Sequence, residues 1–186
     1  MARGVPADRS LLGVIDGGKG LRKAVTDVFG QYALVQRCRV HKRGNVLEHL
    51  PEGERSQVRV AMNEAYKTNS YDTALRLLEN LARSLDKKHP TAAASLREDM
   101  EETLTVLRLG LTAGTLSKTL ETTNPIENLN GARDGRMALR WVATAAMEGA
   151  RGFRRIKGHR DLPKLFAALQ AVDSAGTIGD RILLAG

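Results

Sequence analysis

The chain has 186 residues, 42% of them hydrophobic and 27% charged, a globular balance with the length for a buried core and not that of a disordered tail. It has no apolar run of the roughly 18 residues that a membrane helix needs, no secretory apolar region, and one cysteine, Cys38, which excludes an internal disulfide framework and fits a reducing, cytoplasmic setting. The formal charge of +8 is uneven: residues 1–49 carry nine Lys/Arg against four acids, residues 50–118 ten against ten, and residues 131–160 eight against two, so an anionic polymer is expected at the ends of the chain and not at its centre.

Leu11-Leu12-Gly13-Val14-Ile15 is a short apolar run closed by Asp16-Gly17-Gly18, the pattern of a buried strand entering a turn. Leu21, Ala24, Val25 and Val28 then recur at helical spacing until Gly30, and Ala33 to Cys38 reads as a second strand. From His41, with Val46, Leu47 and Leu50, the pattern is helical up to Pro51. This β-α-β-α order implies a parallel strand pair joined by a crossover. Three amphipathic helices are expected next, through Val58, Ala61, Met62 and Ala65, through Tyr71 to Leu85, and through Leu96, Met100, Leu104, Leu107 and Leu111. Gly110 and Gly114 break that region, Asn124-Pro125-Ile126-Glu127 opens another helix, and a short helix around Leu165 to Ala171 precedes a glycine-containing tail.

Few side chains in this pattern suit chemistry. Asp16 stands at the C-terminal end of a strand, where open α/β sheets place ligands; it equally suits a turn and a helix cap near Lys19. Asp-Gly-Gly-Lys-Gly lacks the spacing and the final Ser/Thr of a Walker A loop. With Asn124 at the N-cap and Pro125 at the first helical position, Glu127 falls at the third, so it fits a capping box as well as a metal-binding carboxylate. Cys38 and His41, three apart, are short of the four ligands of structural zinc and have no orienting third group for nucleophilic catalysis, which leaves a buried Cys ending a strand and a His capping the next helix. Trp141 is expected in a core, and the arginines of the 151–160 block in solvent or on phosphates.

In order and spacing, Ile15-Asp16-Gly17-Gly18-Lys19-Gly20-Leu21, the stretch Gln36 to Val46 with Cys38-Arg39-Val40-His41, and Thr122-Thr123-Asn124-Pro125-Ile126-Glu127-Asn128-Leu129-Asn130 resemble three successive blocks of Mutator-type transposases, the bacterial insertion-sequence branch. Arg154 to Leu162 is similar to a fourth block, and the resemblance covers nearly the whole chain. It implies DNA transposition by phosphoryl transfer on a ribonuclease-H-like core, in which two aspartates and a glutamate bind two Mg²⁺ (or Mn²⁺) ions. Asp16 corresponds to the second aspartate and Glu127 to the glutamate, both as catalytic metal ligands. Cys38, His41, Asn124 and Asn130 fall in the supporting motifs, and Lys19, Arg151, Arg154, Arg155, Lys157 and Arg160 are the expected DNA contacts.

The expected fold is therefore α/β but predominantly helical by residue count. It has a partial ribonuclease-H-like core of few parallel strands (residues 1–50), an all-helical insertion (51–118), C-terminal core helices with the basic block (119–172) and a tail (173–186). Only fifteen residues precede Asp16, so the first catalytic aspartate is expected to be missing and the chain to be a truncated transposase, inactive alone. The expected partners are DNA, as insertion-sequence ends and target, and a second copy or a full-length transposase; no membrane partner is expected. The alternatives are a catalytically inactive DNA-binding or transposase-interacting fragment, and a helical regulator unrelated to transposition.

Overall fold

The computed structural model describes residues 8–112, 114–123 and 157–175. Strand β1 (Leu11–Ile15) leads through Asp16-Gly17-Gly18 into helix α1 (Lys19–Phe29), which Gly30 ends at a φ of 51°. A 3₁₀ turn, Gly30–Tyr32, then delivers β2 (Ala33–Arg37) alongside β1. The two strands pair in parallel, with Leu11 opposite Ala33 and Ile15 opposite Arg37, so both C-terminal ends lie together. This is the strand pair and crossover helix that the alternating apolar runs imply. Among the described residues β1 has no strand on its outer edge.

Helix α2 (Arg39–Glu48) follows with Cys38 as its N-cap residue, so His41 lies in the first turn and does not cap it. The middle of the chain is helical throughout its described residues. Helix α3 (Glu52–Lys67) has Glu52 and Glu54 in its first turn and Lys67 in its last, which suits the helix dipole. Helix α4 (Tyr71–Leu85) is capped by the Ser70 hydroxyl, which accepts from the Thr73 amide at 3.3 Å, and α5 (Pro90–Arg97) begins at a proline, which suits the first helical position.

The expected third long helix is broken. After α5 come a 3₁₀ turn (Glu101–Leu104) and the single turn α6 (Thr105–Arg108), because Glu98 is extended and Asp99 adopts a φ of 52°. Two cations from elsewhere hold this break open: Lys42 Nζ donates to the Glu98 carbonyl, and Arg22 binds Asp99 at 2.7 Å and also Glu102. The leucine stripe from Leu96 to Leu111 remains buried, but as separate pieces. Helix α7 (Thr115–Leu120) precedes Thr122-Thr123, and α8 (Leu162–Ser174) follows a 3₁₀ turn, His159–Asp161.

Two cores hold these elements. The larger joins Val46, Leu47 and Leu50 at the end of α2 to Met62, Leu78, Leu96 and Leu104 of the helical region. The smaller packs Leu34 of β2 against Val106, Leu111, Leu116, Leu165 and Val172. At the start of β1, Ser10 donates from its amide (3.0 Å) and hydroxyl (2.6 Å) to Asp173, which ties α8 to the sheet. By contrast α1 buries no residue, and Leu21 (53%) and Val28 (61%) of its apolar stripe are exposed.

Candidate active-site region

The C-terminal ends of β1 and β2 organise the region. Asp16 is exposed, and its Oδ1 accepts from the Gly18 amide at 2.9 Å. The turn geometry that an aspartate favours is thus present, and α1 itself starts at Gly18 with no side-chain cap. Gly17 sits at a φ of 101°, and any β-carbon there would overlap the Arg37 guanidinium beneath it. Arg37 is almost fully buried, 3.9 Å from Asp99. A glycine is required here twice over, by backbone angle and by space.

Cys38 links this turn to a distant segment. Its amide donates to the Ile15 carbonyl at 2.7 Å, extending the strand pairing by one bond to the residue before Asp16. Its sulfur accepts from the Thr123 amide at 3.4 Å and lies 3.2 Å from His41 Nδ1 and 3.6 Å from the Thr122 hydroxyl. The Thr123 hydroxyl is in turn 3.3 Å from His41 Nδ1. Burial pushes the Cys38 thiol up, but hydrogen bonds from the His41 amide and from the Thr123 hydroxyl and amide outweigh it and bring it down to about 6. The sulfur is fully buried and already surrounded by hydrogen-bond partners, which leaves it an anchor and not a nucleophile.

A second link runs parallel to the first. The Arg39 amide donates to the Glu121 carbonyl at 3.0 Å, and its guanidinium meets the Glu121 carboxylate at 2.7 Å. Arg39 also donates to the Thr103 carbonyl at 2.8 Å and stacks over Tyr66 at 4.8 Å. Gln36, buried in β2, donates to the Thr103 carbonyl at 2.9 Å and accepts from the Val106 amide at 2.9 Å. Residues 121–123 are fixed against the sheet by side chains of Cys38, Arg39 and His41.

The expected ligands and contacts are distributed as follows. Asp16, Cys38 and His41 cluster at the strand ends, with Thr122 and Thr123 joining them. Glu127, Asn124 and Asn130 lie outside the described residues, as do Arg151, Arg154, Arg155 and Trp141. Lys19 is exposed and 3.7 Å from Glu98. Lys157 and Arg160 are exposed around the Gly158 turn, and the Lys157 carbonyl accepts from the Thr119 hydroxyl at 3.1 Å. Asp16 offers the hard oxygen donors that suit Mg²⁺ or Mn²⁺, yet among the described residues no three His, Cys, Asp or Glu side chains converge to hold a metal ion. Those residues alone do not complete a metal centre.

Sequence reasoning gave no role to Thr123, Glu121, Arg37 or Lys42. The signals present were the charged residues Arg37, Arg39 and Lys42 packed around a strand end, and a Thr-Thr pair directly before the capping motif.

The family model for the transposases of the Mutator family matches residues 2–140, a span that holds Asp16, the Cys38–His41 pair and Glu127. The chain belongs to the Mutator family of transposases. It is 32% identical over 94 residues to the transposase for insertion sequence element IST2 of Acidithiobacillus ferrooxidans, a match covering 50% of this chain and 31% of that protein. It is 32% identical over 118 residues to the transposase for IS6120 of Mycolicibacterium smegmatis (63% and 35%), and 31% identical over 121 residues to that for ISRM3 of Rhizobium meliloti (64% and 29%). These matches span about a third of each relative's length. No solved structure matches the chain. The described Mutator-family fold is mostly helical around a two-stranded parallel sheet, and none of its described helices is long and apolar enough to cross a membrane.

Proposed function

We propose that this chain forms part of the DNA-processing core of a transposase, with Asp16 and Glu127 as ligands of a catalytic divalent metal. The observation that carries the reading is the pair of hydrogen bonds made by Cys38: its amide donates to Ile15 at the end of β1 and its sulfur accepts from Thr123, so the Asp16 turn and Thr123, four residues before Glu127, share one anchor although 111 positions separate the two acids. In a ribonuclease-H-like arrangement two metal ions supply charge stabilisation to the scissile phosphate and lower the pKa of the attacking water. Within this chain Asp16 presents its carboxylate, Gly17 lets the turn close over Arg37, and the Cys38–His41–Thr123 cluster fixes Thr123, four residues before Glu127. Lys19, Arg151, Arg154, Arg155, Lys157 and Arg160 hold DNA phosphates. The exposed apolar residues Leu21 and Val28 of α1 receive a second copy of the transposase.

Asp16 and Glu127 are two of the three acids of the implied set. Mn²⁺ titration followed by paramagnetic broadening of amide signals tests the site. Broadening is expected together at Gly17, Gly18 and the residues around Glu127, with loss on Asp16→Ala. Broadening that ignores Asp16→Ala, or that leaves the Glu127 signals sharp, contradicts the shared site and returns Glu127 to a capping role.

A further inference from the structure

Three clefts differ in charge in a way the linear sequence conceals. One, lined by Arg22, Arg97 and Arg108, faces the carboxylates of Glu79, Asp99, Glu101 and Glu102; another sets Lys19, Arg22 and Lys23 against Asp27, Glu98 and Asp99. Both are balanced or acidic. The third is a groove of about 560 Å³ between the end of α3 and α7, and its charged lining is Arg39, Arg43, Lys67 and Lys118 against the single carboxylate of Glu121. That volume lies inside the roughly 300–1,000 Å³ range of ligand clefts.

The Glu121 carboxylate is already spent on Arg39, so it does not neutralise the other three cations. Lys67 and Lys118 are exposed, and Arg43 is held at the wall by a 2.8 Å hydrogen bond from its Nη1 to Asn63. Lys67 pairs with Glu64 at 2.7 Å, an exposed pair that a phosphate displaces at little cost. Exposed Asn69 and Thr112 add neutral hydrogen-bonding groups to the wall. Among the described residues the only aromatic ring of the lining is Tyr66, covered by Arg39, and it is not available for stacking on bases. The groove also includes Thr122, which touches the Cys38 anchor, so its inner end meets the candidate active-site region.

We propose that this groove is a second nucleic-acid site, which takes the phosphodiester backbone of one DNA strand and leads it past Thr122 toward Asp16. The proposal rests on the transposase reading. Phosphates, not bases, are recognised, because the lining supplies cations and amides without an exposed aromatic platform. None of its four cations comes from residues 151–160, and two of them, Lys67 and Lys118, come from residues 50–118, whose net charge is zero.

The test uses the full chain and a fluorescent single-stranded oligonucleotide of mixed sequence, with affinity measured by anisotropy from about 50 to about 200 mM salt. Lys67→Gln with Lys118→Gln changes two exposed side chains and leaves both cores intact. Each phosphate contact on a single strand contributes roughly 0.7 to the salt slope. Losing two lowers the slope by roughly 1.4 and makes the salt-induced loss of affinity across that range roughly sevenfold smaller. A photocrosslinker placed at Asn69→Cys is expected to capture the strand, with the buried Cys38 unlabelled. A slope unchanged in the double glutamine variant, with no crosslink from position 69, overturns the groove. If Arg154, Arg155 and Lys157 changed to Ala then lower the slope alone, the transposase reading stands with the block as the DNA site. Absence of any DNA binding by the unaltered chain sinks that reading as well.

Discussion

Replacing Cys38 by Ala removes the sulfur that the Thr123 amide, the Thr122 hydroxyl and His41 all approach. Thr123 is buried, so its amide loses this acceptor, a loss of about 1–3 kcal/mol for a buried donor deprived of its partner. The effect depends on pH in a defined direction. The folded thiol titrates near 6 and the unfolded one near 9.0, so the folded state binds fewer protons between those values. The contribution of the thiolate is complete above about pH 9, falls as pH drops through that window, and is gone below about 6. Urea unfolding of the unaltered chain and of Cys38→Ala at pH 5.5, 7 and 9 should therefore show a stability gap that widens with pH. Cys38→Ser, which keeps an acceptor but cannot ionise there, should lose less stability than the alanine variant and show no such widening. A gap that is constant across the range, or that grows on acidification, would refute the thiolate as the anchor of Thr123.

Other substitutions probe the surrounding geometry. Gly17→Ala should cost about 1–3 kcal/mol in chemical unfolding, since it forces an L side chain into positive φ and into Arg37; a neutral result would mean that the turn is not held as described. Gly158→Ala should destabilise by a similar order, about 1–3 kcal/mol, and loosen hydrogen-exchange protection of α8, because a β-carbon at that φ of 83° would overlap the Leu116 backbone. Burial brings Lys42 down to about 8, so the folded chain sheds this proton before the unfolded chain does, and stability relative to Lys42→Met should rise with pH from about 8 to 10.5. A flat difference in that interval would show that Lys42 is not desolvated at its place beside Glu98.

The strand, helix and strand of residues 11–37 were legible because their periods change cleanly from apolar run to helical stripe and back. The break at Glu98-Asp99 was not, because the leucine spacing continues through it. What interrupts the helix is Arg22 and Lys42, cations far away in sequence that bind the carboxylate and carbonyl of the break. Cys38 was readable as a buried residue at a strand end, and the family resemblance marked it as belonging to the site. Its partner is 85 residues away, however, and a thiolate accepting an amide leaves no local spacing to detect. Charge along the chain misled in the same way. The balanced count over residues 50–118 hides the fact that folding sends Lys67 and Lys118 to one groove with Arg43, while the acids of that region gather mainly elsewhere.

The central claim is that Asp16 and Glu127 serve one DNA-cleaving centre. Its most direct test is cleavage of labelled insertion-sequence-end DNA in Mg²⁺ by this chain mixed with the N-terminal portion of a related transposase that supplies the remaining aspartate. The account predicts nicking in the mixture and loss of that nicking with either Asp16→Ala or Glu127→Ala at unchanged DNA affinity. Nicking that survives both substitutions would contradict it.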